Sequence, residues 1–182
     1  MVIKDIKSPF LFSVQYEGTE KAEYYRLFEE WNDLDYLTDF FKENKEYLID
    51  GFWKDLGSPE EAALRVIEEA KALRKWFHEI IQNSQNGESP DLDSHFKLLH
   101  GKKEYEYELT AMKSYGRFHP SLLRMYAIKM GENSYLITGG GIKLGEAIQD
   151  SPGIKDHVLQ HIARVKNYLK REGIMDQDDL SE

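Results

Sequence analysis

With 182 residues, 41% of them hydrophobic, the chain has enough apolar side chain for one ordinary core and is too short to need a second. It contains no cysteine, which excludes disulfides, a thiolate nucleophile and any cysteine-ligated metal site. The formal charge of −9 opposes general binding to polyanions, yet it is unevenly spread: residues 1–94 hold 11 Lys and Arg against 21 Asp and Glu, residues 95–143 hold 8 against 4, and residues 144–182 hold 5 against 8.

The basic middle points to a local anion site or to solvated charge. No run approaches the roughly 18 apolar residues of a membrane helix, and "MVIKDIKSPFLF" lacks a small-residue cleavage site, so a soluble, cytoplasmic protein is expected.

In chain order, "PFLFSVQYEG" alternates as a strand that Gly18 ends. From Glu20 to about Asp50, Tyr24, Leu27, Phe28, Trp31, Leu34, Leu37, Phe40, Phe41 and Leu48 recur at helical steps, with "WNDLD" dividing two helices. Ser58, Pro59 and Glu61 form an N-cap, first-turn proline and capping box, and the stripe from Ala62 to Ile81 predicts a long helix running to about Gln82. "QNSQNGESPDLDS" reads as a loop.

The period then changes to 2. "KKEYEYELTAMKS", "SLLRMYAIKM" and, after the turn "GEN", "SYLITG" predict a three-stranded antiparallel meander. Ile154, Val158, Ile162, Val165 and Leu169 mark a closing helix that stops at Gly173, before an acidic tail expected to fray. The expectation is one α+β domain over 1–182: a helical half 1–94, an antiparallel sheet segment 95–150, and a helix with tail 151–182.

The glycines of "TGGGIKLG" fit neither the dinucleotide fingerprint nor the Walker loop, because the spacing and the strand–helix context are wrong. They allow a strand end to bend or bulge, which would aim Lys143 across the sheet. His157 and His161 stand four apart on a helix without a third ligand, so packed or surface histidines are expected, with no metal and no cofactor. Lys113, Arg117, His119, Arg124 and Lys143 fall on or beside adjacent strands, and alternation puts Arg124 on the face of Tyr126 and Ile128. An arginine in such company requires an anion, either an internal carboxylate or a ligand phosphate.

The run "FKLLHGKKEYEYELTAMKS", then "HPSLLRMYAIKMGENSYLITGGGIKL" and "HVLQHIARVKNYLKREG", resembles RelE/ParE-like toxins, especially the HigB-like branch, over roughly residues 95–172. The resemblance implies an α+β toxin fold with N-terminal strand and helices on a small antiparallel sheet, a cognate antitoxin of helix–turn–helix type, and no membrane partner. It implies mRNA cleavage on the ribosome without a metal, a ribose 2′-oxygen attacking the adjacent phosphate. On this reading Arg124 and Lys143 stabilise the phosphate, His119 or Tyr126 moves protons, and Lys113, Arg117 and Lys129 bind substrate. The alternative is a toxin-like module that binds a protein target or only its antitoxin.

Overall fold

The longest helix shows how local sequence sets the frame. A computed structural model describes residues 1–99, 120–155 and 157–180, with residues 111–115 and Gln149 described by backbone alone. In it Ser58 Oγ accepts from the Glu61 amide at 3.2 Å while Glu61 Oε2 accepts from the Ser58 amide at 2.7 Å. That reciprocal cap, with Pro59 behind it, satisfies otherwise orphaned first-turn amides and starts the helix Pro59–Asn86 (α4). Its stripe of Ala62, Val66, Ala70, Leu73, Phe77 and Ile80 is fully buried.

Two helices precede it, Glu23–Glu30 (α1) and Leu34–Glu43 (α2), divided where the sequence places the break: Asp33 caps α2 by accepting from the Tyr36 amide at 3.0 Å. A single turn, Glu46–Ile49 (α3), and a 3-10 turn, Lys54–Leu56, lead into α4.

The expected loop after α4 needs correction. The helix continues to Asn86, because Ser84 Oγ turns back to the Ile80 carbonyl and Gly87 closes the end with φ of 68°. Asp91 then caps a further turn, Leu92–His95 (α5).

Among the described residues six strands form one sheet: Val2–Lys7 (β1), Leu11–Gln15 (β2), Lys97–Leu98 (β3), Ala111–Tyr115 (β4), Leu123–Gly131 (β5) and Ser134–Ile142 (β6), in the order β1-β2-β6-β5-β4-β3. The meander's last two strands are present as expected, and its first is described only over Ala111–Tyr115. The sheet is mixed rather than antiparallel, since β2 runs parallel to β6 (Leu11 beside Tyr135, Ser13 beside Ile137). The one strand predicted at the N-terminus is a hairpin of two. Its outer member, "VIKDIK", is an exposed edge whose charged residues hide the period.

Helices cover both faces. Leu11, Met125, Ala127, Tyr135 and Ile137 pack under α1, α2 and α4, whereas Phe12, Val14, Ile128 and Leu136 pack under the closing helix Val158–Glu172 (α6). Every residue of β6 is buried, which explains why it reads as an unbroken apolar and glycine run. The acidic tail is anchored instead of frayed: Asp179 accepts from the Met175 amide at 2.7 Å, and Leu180 packs near Met1 and Ile3. No helix among the described residues is long and apolar enough to cross a membrane.

Candidate functional site

The three glycines lie inside β6, and two of them, Gly140 and Gly141, do the work of close approach. Tyr126 pairs with Gly139 but Ala127 pairs with Ile137, so Thr138 is an extra, bulged residue. Its carbonyl accepts from Tyr16 Oη at 2.7 Å and its hydroxyl donates to the Tyr126 carbonyl at 3.2 Å, leaving the bulge satisfied. A Cβ on Gly140 would stand 2.6 Å from the Arg124 carbonyl, and one on Gly141 2.5 Å from the Gly153 carbonyl. Only glycine permits those backbones to touch.

Beyond the glycines the strand delivers Lys143. Its amide donates to the Leu122 carbonyl at 2.7 Å, and its carbonyl accepts from Trp53 Nε1 at 3.2 Å. On the neighbouring strand, Arg124 pairs in register with Gly141. Arg124 Nη1 donates to the Ser121 carbonyl at 2.9 Å and to the Leu123 carbonyl at 2.7 Å, which folds the guanidinium back over the entrance to β5.

The entrance is held from the other side by Glu69. This carboxylate is fully buried and accepts from Arg65 Nε at 3.0 Å, from Ser121 Oγ at 2.9 Å and from the Leu122 amide at 2.9 Å. A buried charge so surrounded is compensated and rigid. Peptides 121–123 are therefore gripped between Glu69 of α4 and Arg124 itself.

These pieces enclose a cleft of about 450 Å³ lined by Phe52, Trp53, Ser121, Arg124, Lys143 and Glu146, among others. Arg124 and Lys143, both half-buried, come together there at the ends of neighbouring strands. Leu144 is buried beside them, and Glu146 adds an exposed carboxylate. Phe52 is 67% exposed and meets Trp53 edge to face at 5.0 Å.

Other expected site residues lie elsewhere. Tyr126 is buried with Leu99, Ile154, Val158 and Ile162 under α6 and does not line the cleft. Lys129 sits five positions along β5 from Arg124, where its Nζ pairs with Asp93 at 2.8 Å. At about 3.3 Å per residue, that places it roughly 17 Å away. Lys113 lies on β4 opposite Tyr126, its side chain outside the described residues, as are Arg117 and His119 entirely.

His157 and His161 have ring centroids 5.9 Å apart, and His161 packs on the Tyr16 ring at 4.4 Å, where burial lowers its pKa. Among the described residues no group of three His, Asp or Glu is arranged to hold a metal ion. A second polar cleft, of about 590 Å³, contains Arg26, but that guanidinium already meets the buried Glu23 at 2.7 and 3.0 Å and Glu30 besides.

Phe52, Trp53, Glu69 and Glu146 escaped the sequence reading. For Glu69 a signal existed: it stands three after Val66 and four before Leu73, a charge at a core position of an amphipathic stripe. Comparison of the chain with protein-family models, with curated proteins and with solved structures finds no match in any of the three.

Proposed function

We propose that the chain is the toxin of a two-component module of RelE/ParE-like type, and that its cleft binds and cleaves the phosphodiester backbone of mRNA. The carrying observation is the convergence of Arg124 and Lys143, nineteen positions apart, on one cleft at the glycine end of the sheet. The order of strand, helices, antiparallel strands and closing helix is compatible with that fold and carries the added hairpin strand β1.

The chemistry follows from the groups present. The substrate's own 2′-hydroxyl is the nucleophile; its proton passes to a base, its oxygen bonds to phosphorus, and the 5′-oxygen leaves with a proton, giving a 2′,3′-cyclic phosphate. Arg124 and Lys143, held on rigid strands, stabilise the charge that grows on the phosphorane oxygens. Glu146, in the cleft, is the carboxylate suited to accept the proton, and His119 is the imidazole suited to return one.

The test is induced expression in a bacterial host with growth curves and mapping of new mRNA 5′ ends within minutes, beside the Arg124→Ala, Lys143→Ala double variant. Growth arrest with cuts that vanish in the double variant is expected. Arrest without cuts moves the target to a protein, and cuts that persist in the double variant remove these two residues from the chemistry.

A further inference from the structure

Phe52 and Trp53 lie in the turn between α3 and α4, outside the segment that carries the toxin resemblance. We infer that they form a base-stacking subsite, so that the cleft takes a single-stranded nucleotide with its phosphate on Arg124 and Lys143 and its base on Phe52. The inference rests on the phosphate reading of that cleft and adds the substrate's conformational class to it.

Three observations carry it. Phe52 is 67% exposed and forms part of the cleft wall, so a ring face is available there to a bound group. Its partner Trp53 is only 7% exposed and is fixed twice, by the 5.0 Å edge-to-face contact with Phe52 and by its Nε1 bond to the carbonyl of Lys143. That bond ties the aromatic wall to the backbone of a phosphate cation, so the two subsites hold one spacing. Finally, about 450 Å³ falls within the roughly 300–1,000 Å³ of small-ligand clefts. A cleft of that size suits one splayed nucleotide, whereas a duplex keeps its base faces stacked internally.

Stacking on an aromatic ring is sequence-tolerant and is seen as about a 5- to 150-fold loss of affinity per base when removed. The experiment measures fluorescence anisotropy of a labelled single-stranded RNA 8-mer, 2′-O-methylated throughout to block cleavage, against the same strand with abasic sites at every position. The intact chain should prefer the base-bearing strand by a factor in that range. Phe52→Ala should bring the ratio to about one, and Phe52→Trp should keep it; being exposed, position 52 accepts both without refolding the core. Arg124→Ala with Lys143→Ala should weaken both strands and leave the ratio.

Equal binding of the two strands by the intact chain, or a ratio unchanged in Phe52→Ala, overturns the stacking subsite and leaves the phosphate reading standing. Affinity for both strands that the Arg124, Lys143 variant does not reduce overturns the phosphate reading instead. No binding of either strand overturns both.

Discussion

Glu69 and Ser121, separated by 52 positions, meet through a 2.9 Å hydrogen bond between a fully buried carboxylate and the residue that opens the strand carrying Arg124. The helix with the clearest sequence signal thus reaches, through Glu69 and its partner Arg65, which also donates to the Pro120 carbonyl, the loop on which the candidate chemistry depends. Glu69→Ala would leave Arg65 and the Leu122 amide without their shared acceptor. A loss of about 3 kcal/mol in urea unfolding is expected, with Glu69→Gln, which keeps one acceptor oxygen, losing markedly less. Equal losses in the two variants would show that packing, not hydrogen bonding, is what Glu69 supplies.

Arg124, which lines the cleft, and Tyr126, buried under α6, stand two positions apart on one strand. On the proposed ribonuclease reading, Arg124→Ala should reduce mRNA cleavage about 100-fold, the scale for removing one charge-stabilising donor, and should lower the unfolding midpoint modestly, since the bonds to the Ser121 and Leu123 carbonyls are lost with it. Tyr126→Phe should leave cleavage unchanged, since the ring lies under α6, away from the cleft. In vitro cleavage rates of the two purified variants check the contrast, and a cleavage defect in Tyr126→Phe would place that hydroxyl in the reaction after all.

Among the glycines the cost of a methyl group should differ sharply. Gly140→Ala forces a Cβ to 2.6 Å from the Arg124 carbonyl and 2.9 Å from Leu27 Cδ1, and a loss of about 1–3 kcal/mol is expected. Gly139→Ala meets nothing nearer than His161 Nδ1 at 3.6 Å and should stay within about 0.5 kcal/mol of the parent. Thermal melting of both variants decides whether close approach or mere strand flexibility requires these residues.

Acid should expose a buried histidine. His95 Nδ1 accepts from Trp76 Nε1 at 3.1 Å, and burial, helped by Lys97, pulls its pKa down to about 4. The unfolded chain protonates it near 6.5. Between those values the unfolded state holds the extra proton, so stability is complete above about pH 6.5 and falls as the pH drops toward 4, by about 3 kcal/mol in all. Urea midpoints at pH 7 and pH 4.5 should differ less for His95→Gln than for the parent; identical pH dependence would mean that His95 titrates normally in the folded chain.

How far the sequence could be read follows from where the information lies. The capping box at Ser58 and the stripe from Ala62 are local, and they predicted α4 to the residue at its start. That Arg124 and Lys143 stand on or beside neighbouring strands was legible because alternation and the glycine run are local patterns too. The parallel pairing of β2 with β6 is a choice of partner made across the whole chain, which no periodicity encodes. The polar letters of "QNSQN" gave a loop, and the structure gives a helix because Ser84 satisfies itself within the turn and then binds the Leu92 amide. Phe52 and Trp53 were invisible for a different reason: an aromatic pair in a turn acquires meaning only when the strand that it faces is known.

The partnership of the first strands with the last has a consequence for how the protein is made. Ser134 Oγ bonds the Pro9 carbonyl across 125 positions of chain, and β6 is the strand through which the hairpin joins the sheet. At about 5–20 residues per second of synthesis, the hairpin waits roughly 6 to 25 s with an open edge before its neighbour exists. The sheet, and with it the cleft, is completed only once Ser134–Ile142 and Lys143 have been made, so a nascent chain stalled before Ser134 holds neither Lys143 nor the strand that would seal its own apolar edge.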